Sequence, residues 1–369
     1  MGVWSARAAR VPRRRAVCGA LALAAVLGGG TYAGVGIAGV RPSPTASPHP
    51  SLTDRATIAD KVDLPWPGEG QTSISVDGLG SLGSKGGAKP VPIASVTKVM
   101  TAYVILKEHP LKDGDQGPQV DVDAQAAQES QSLSESTVPL RKGQRYTQRQ
   151  LLELLMLPSG NNAARLFARW DSGSQEKFVK KMNRAARDLG MTHTEYTGAS
   201  GVEESTRSTA DDQLKLAQAA MGQPVLRKVV ALRKTTVPGI PGTVTNTNDL
   251  LDRPGVIGLK TGSTTPAGGN LMWAAKLPAG GEQRLVLGVT LAQRANTSPT
   301  EGLSAALERS GKLIEALRTQ LPAALDGKKS DEKSGAKSDE KGDEKNDGKD
   351  SGNDSGNDGG NDGDEKARP

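Results

Sequence analysis

Strand-like and helix-like segments are sorted along this chain rather than mixed, and the sorting limits the folds open to it. The stretch "QTSISVDGLGSLG" (71–83) alternates and then turns on glycines, the mark of a β-hairpin. Far downstream, "GVIGLKTG", "GGNLMWAAKL" and "RLVLGVTLAQ" (255–293) read as three more strands, the last two joined by a Gly-rich turn. Helical patterns fill the interval. A helix is expected from about Val96 to Lys107. The segment "TQRQLLELLMLPSGNNAARLFARW" (147–170) reads as a helical pair, with Thr147 and Gln150 as a capping box and Pro158 as the stop of the first helix. "STADDQLKLAQAAMG" is another capped helix, and "TEGLSAALERSGKLIEALRTQL" (300–321) is a closing amphipathic one. Strands at both ends with helices between predict an antiparallel sheet made from both chain ends, flanked by helices, with an all-helical subdomain inserted. The fold class is α/β, in the layered α+β sense.

The rest of the chain lies outside that domain. Residues 1–41 hold six arginines and no acid, and five of those arginines precede 25 uncharged residues, Ala16 to Val40. A basic end before a long apolar run is expected to be an export signal or an N-terminal membrane anchor. Small residues suit cleavage after Ala33 or Ala38, so both readings stay open, and the protein is expected outside the cytoplasm, membrane-anchored or secreted. Residues 42–55 are a Pro- and Ser-rich linker that contains His49. The folded domain is set at 56–322 and a charged low-complexity tail at 323–369. From residue 327 onward no large apolar side chain occurs, and units such as SDEK and SGND repeat, so that stretch cannot bury enough to fold.

The net charge of +6 divides into +6 on residues 1–41, −4 on 328–369 and +4 on the rest. The middle is too weakly basic to point to nucleic acid, and no basic stripe with interleaved aromatics occurs. The one cysteine, Cys18, allows no internal disulfide. The three histidines, His49, His109 and His193, form no metal-ligand spacing, so no metal and no cofactor is expected. His109 and His193 read as structural or exposed, and Trp170, Trp273 and Tyr103 as core.

Ser-x-x-Lys occurs five times, at Ser95, Ser174, Ser330, Ser334 and Ser338; Ser-Gly-Asn occurs three times, at Ser159, Ser351 and Ser355; Lys-Thr-Gly occurs once, at Lys260. The tail matches are products of composition. Only Ser95, Ser159 and Lys260 fall in order within the folded region, each in a suitable local context. A serine hydroxyl is a poor nucleophile until a base takes its proton. On a helix, positions i and i+3 share a face, so Lys98 can reach the Ser95 hydroxyl. A lysine serves as a base only if burial and a second cation lower its pKa; Lys260 is the candidate for that cation. Gly262, lacking a side chain, would let an extended peptide approach the strand edge and pair with it.

With these motifs, and with "PIASVTKVMTA", "LLELLMLPSGNNAA", "LGMTHTEYTGASGV" and "GVIGLKTGSTTPAGGNL", roughly residues 70–320 resemble the serine D-alanyl-D-alanine carboxypeptidases among the low-molecular-mass penicillin-binding proteins. The resemblance implies a β-lactamase/transpeptidase-like fold. It also implies hydrolysis of the terminal D-alanine from peptidoglycan stem peptides through an acyl-serine, with acylation by β-lactam antibiotics. It makes Ser95 the nucleophile, Lys98 the base and Ser159 a proton shuttle to the leaving amine. Asn161 would bind the substrate amide, Lys260 and Thr261 the terminal carboxylate, and the N–H groups of Ser95 and Ser263 the oxyanion. Arg294, in a loosely matching "AQRANT", stands where the family places a carboxylate-binding arginine.

A transpeptidase on the same fold is the nearest rival. A class A β-lactamase fits less well, because its middle motif usually has Asp where Gly160 stands and no acidic loop of the deacylating kind is found. A catalytically inert wall-binding protein is disfavoured by the joint presence of Ser95, Lys98 and Lys260.

Overall fold

The computed structural model describes residues 58–335. Five strands make one antiparallel sheet: β1 (Gln71–Val76), β2 (Gly80–Lys85), β3 (Val256–Thr264), β4 (Gly268–Ala279) and β5 (Glu282–Gln293). Their order is β2-β1-β5-β4-β3. The N-terminal hairpin thus pairs with the last strand, Gln71 opposite Leu291 and Val76 opposite Val286, and β3 is left at an edge. This is the sheet from both chain ends that the segment order requires.

Both faces of the sheet are covered, and strand alternation sorts the side chains between them. Along β4, Leu271, Trp273, Ala275 and Leu277 join an apolar cluster with Ile74, Val76 and Val286. Met272 and Ala274 turn the other way, into a larger cluster with Leu287, Val289 and the helical subdomain. Trp273 is fully buried as expected, whereas Trp170 and Tyr103 are only partly buried against the larger cluster.

The helices of that subdomain are α1 (Lys98–Glu108), α2 (Ala124–Glu129), α3 (Gln148–Met156), α4 (Asn161–Ser172), α5 (Gln175–Asp188), α6 (Ala210–Met221) and α7 (Pro224–Val230). Helix α1 is apolar almost all round, with Val99, Met100, Ala102, Val104, Ile105 and Leu106 buried, as a central helix must be. The capping box of α3 is formed: Gln150 N donates to Thr147 Oγ1 at 3.1 Å and Thr147 N to Gln150 Oε1 at 2.9 Å. Ser174, one of the chance Ser-x-x-Lys matches, is the N-cap of α5 and accepts from Lys177 N.

The closing helix α8 (Pro299–Gly335) lays Ala306, Leu313, Ile314, Leu317 and Leu321 against the second cluster. It runs past residue 322, where the domain was expected to end. Proline cannot donate to the preceding turn, but the burial of Leu321 and Ala324 on either side carries the helix through Pro322. The expected leader (1–41), the linker (42–55) and the tail from residue 336 lie outside the described residues.

Candidate active site

Ser95 does not sit in the α-helix that its apolar run suggests. It lies in a 3₁₀ turn, Ala94–Thr97, that leads into α1 at Lys98. A 3₁₀ turn has three residues per turn, so i and i+3 stand directly above one another. Lys98 Nζ is accordingly 2.8 Å from Ser95 Oγ. The turn is entered through Ala94 at φ +47°, a conformation unfavourable for a residue with a Cβ.

Lys98 is fully buried, which excludes an exposed helix-start lysine. Its Nζ has three oxygen neighbours: Ser95 Oγ, Asn161 Oδ1 at 2.6 Å and the Ser200 carbonyl at 2.8 Å. The last two can only accept. A neutral amine has two hydrogens and one lone pair. Asn161 and Ser200 take the hydrogens, and the remaining position faces Ser95. Burial holds the pKa of Lys98 well below the usual lysine range, with the Lys260 charge as the next cause and Arg165 after it; Glu135 and Glu203 act in the opposite direction.

Lys260 lies on edge strand β3, on the same face as Gly262, and is 1% exposed. Burial lowers its pKa to about 7. Among the described residues its Nζ makes one long contact, 3.4 Å to Thr261 Oγ1, and Thr261 Oγ1 in turn meets Thr247 Oγ1 at 2.6 Å. Gly262 has a different use from the one expected. A Cβ there would stand 2.8 Å from the backbone nitrogens of Ser95 and Val96. The missing side chain thus lets the strand close on the Ser95 turn, rather than making room for a peptide.

Ser159 stands at φ +65° in the turn between α3 and α4, with Oγ buried and without a hydrogen-bond partner among the described residues. A Cβ on Gly160 is already 2.9 Å from the Leu154 carbonyl, so this turn has no room for the Asp of the β-lactamase motif. Asn161 opens α4. Expected to bind the substrate amide, it has both ends engaged: Oδ1 by Lys98 and Nδ2 by Glu135 Oε2 at 2.7 Å. Asn162 is structural, as its position suggests: it accepts from Val138 N and donates to Val138 O and Ser130 Oγ, fixing the 130–138 loop.

These elements surround a cleft of about 480 Å³. One wall is Ser95 with Ser263, Thr264 and Thr265 of β3 and its following turn; the other is Ser134, Glu135, Ser136 and Asn161. Gly201 and Val202 close one side, and Leu133 and Val202 are the exposed large apolar residues among those described. Lys260 and Thr261 are buried and are not among the residues that line the cleft. Arg294 is not part of the lining. It sits in the turn after β5 at φ +51°, half-exposed, and pairs with Glu301 at 3.1 Å. His109 packs on Trp170 and pairs with Asp171, and His193 holds a loop by donating its N–H to Asp212, so both are structural.

Reasoning from the sequence missed two contributors. The Ser200 carbonyl is a backbone group that no side-chain pattern reveals, although "TGASGV" contains it. Glu135 lies in an irregular loop with no diagnostic spacing, and it places a carboxylate in a cleft where no acidic loop was found.

Residues 81–293 match the family model for D-alanyl-D-alanine carboxypeptidase. The chain is 37% identical over 202 residues to a D-alanyl-D-alanine carboxypeptidase of Mycobacterium tuberculosis, covering 53% of this chain and 65% of that one. It is 30% identical over 226 residues to a D-alanyl-D-alanine carboxypeptidase of Bacillus subtilis, covering 58% and 56%. The chain thus spans less than two thirds of either relative. Among solved structures, a Streptomyces DD-transpeptidase superposes with a TM-score of 0.59 at 30% identity, over 69% of this chain and 98% of that one. With the matched region holding the whole Ser95, Ser159 and Lys260 constellation, the chain belongs to the D-alanyl-D-alanine carboxypeptidase family, peptidase S11.

Proposed function

We propose that this protein is an exported serine D,D-carboxypeptidase that removes the terminal D-alanine from peptidoglycan stem peptides. The observation that carries the reading is the arrangement around Lys98, whose two hydrogens go to acceptor-only oxygens while its third position faces Ser95 Oγ. In the reaction, Ser95 Oγ attacks the carbonyl carbon of the penultimate D-alanine as its proton passes to Lys98. The oxyanion that forms takes hydrogen bonds from the N–H groups of Ser95 and Ser263, both on the cleft wall. The tetrahedral species collapses with cleavage of the C–N bond. The leaving D-alanine amine takes the proton from Lys98, with the buried Ser159 hydroxyl as relay. Water, activated by the again neutral Lys98, then hydrolyses the acyl-serine. Lys260 in its cationic form supplies charge for the substrate's terminal carboxylate, with Thr261 beside it. A β-lactam enters the same sequence, but its amine stays tethered and the acyl-serine persists. The support for export is the arginine-rich start and long apolar run before the domain.

The likeness to a DD-transpeptidase favours one second reading, in which an amine rather than water takes the acyl group. Both follow the same acylation. Incubating the protein with a diacyl-Lys-D-Ala-D-Ala peptide is expected to release free D-alanine, and Ser95→Ala is expected to release none. With a D-amino acid acceptor present, hydrolysis is expected to remain the main course. Exchange product in excess of hydrolysis would assign the transpeptidase instead, and neither product would overturn the reading.

A further inference from the structure

Glu135 belongs to an irregular loop, yet its carboxylate is held as firmly as a residue on a helix. Oε2 accepts from Asn161 Nδ2 at 2.7 Å and from the Arg165 guanidinium at 3.0 Å. Arg165 also pairs with Glu129 at 3.3 Å, Glu129 with Arg169 at 3.3 Å, and Arg169 with Asp123, the N-cap of α2, at 2.6 Å. This line of alternating charges ends in the cleft, on the amide that touches Lys98.

An asparagine amide has one accepting end and one donating end, and either could face a lysine. Which end does so decides the chemistry. With Oδ1 toward Lys98, the amine gives a hydrogen away and keeps its lone pair. With Nδ2 toward Lys98, the amide would donate into that lone pair and compete with the Ser95 hydroxyl for it. A carboxylate can only accept, so Glu135 permits one orientation. We infer that Glu135 is a positioning residue that, by holding Asn161 Nδ2, keeps Asn161 Oδ1 on Lys98 and leaves the Lys98 lone pair to the Ser95 proton. The inference rests on the proposed roles of Ser95 and Lys98. Lys260, Arg165 and Glu203 also act on Lys98 electrostatically, but none of them touches Asn161 through a hydrogen bond among the described residues.

The test is the rate at which a fluorescent penicillin acylates wild type, Glu135→Ala, Glu135→Gln, Asn161→Ala and the Glu135→Ala/Asn161→Ala double variant. Glu135→Ala is expected to be about ten- to hundredfold slower, the scale of a hydrogen bond to a charged group. Glu135→Gln, whose amide oxygen can still accept from Asn161 but whose NH2 also admits the reversed amide, is expected to fall between wild type and Glu135→Ala. In the double variant the Glu135 change is expected to add nothing to Asn161→Ala, because its effect passes through that residue. Three results would overturn the inference: an unchanged rate in Glu135→Ala, a loss in Glu135→Gln equal to that in Glu135→Ala, or additive losses in the double variant. The second would assign Glu135 to the ion pair with Arg165 alone. A wild type that is not acylated would instead overturn the nucleophile and base assignment, and this inference with it.

Discussion

Lys98→Arg is expected to abolish acylation of Ser95 although it keeps a cation at the site. Arginine does not give up its proton near neutral pH, so it cannot accept one from a hydroxyl. Removal of a general base lowers a rate by roughly 10²–10⁴-fold, and the loss should be at least that large here, since the serine has no other amine within hydrogen-bond reach among the described residues. Lys98→Met, close in volume and uncharged, separates the base from mere fit and should fail equally. The pH profile adds a sign. Lys98 must be neutral to act, so the rate rises with pH through its pKa. Burial and the Lys260 charge lower that pKa, which puts the rising limb below the usual lysine range. In Lys260→Ala the second of these causes is gone, the pKa of Lys98 rises, and the limb should move to higher pH. An arginine variant acylated at the wild-type rate would reduce Lys98 to an electrostatic or packing residue. A limb that stays in place in Lys260→Ala would remove Lys260 from the tuning of the base.

The second large effect is expected at a residue with no functional side chain. Gly201 has φ +82°, and a Cβ there would lie 2.0 Å from the Ala94 carbonyl oxygen and 2.6 Å from Thr97 Oγ1. Both atoms belong to the turn that carries Ser95, and the preceding residue supplies the carbonyl that binds Lys98. Gly201→Ala must therefore push apart the two segments that aim nucleophile and base at each other. Misplacement on the order of 1 Å costs about a hundredfold in rate, and that is the loss expected in acylation. The cost to the fold is smaller, roughly 1–3 kcal/mol for overpacking. A variant that melts a few degrees lower but acylates at least about a hundredfold more slowly would show that the glycine serves the site. Acylation within about twofold of wild type, with the same melting change, would show that the contact is only packing.

Periodicity and turn chemistry carried most of the fold. The alternation of β1, the capping box at Thr147 and the stop at Pro158 are local signals, and each keeps its meaning in the assembled structure. The site was legible where its chemistry resides in side chains at short spacing: Ser95 with Lys98, and Ser159 with Asn161. It was not legible where it depends on segments far apart in the chain. The Ser200 carbonyl is 102 residues from Lys98, and Glu135 is 26 from Asn161, with no regular element to set either approach. Gly262 shows the same limit from the other side. The need for a glycine was visible, but the neighbour that requires it, the backbone of the Ser95 turn, appears only when the sheet and the helical subdomain meet. The partner of Arg294, Glu301, lies on the next helix, beyond the reach of a motif. The closing helix was read as 300–321, where its apolar period is strongest, whereas burial of Ala324 beyond Pro322 is a tertiary fact.

The central claim is that Ser95 is the nucleophile and that the cleft around it acylates from a D-Ala-D-Ala-like ligand. Intact-mass spectrometry after incubation with penicillin tests it directly, followed by peptide mapping. One adduct per chain, on the peptide that contains Ser95 and absent from Ser95→Ala, is the expected result. No adduct, an adduct on another peptide, or an undiminished adduct in Ser95→Ala would contradict the account.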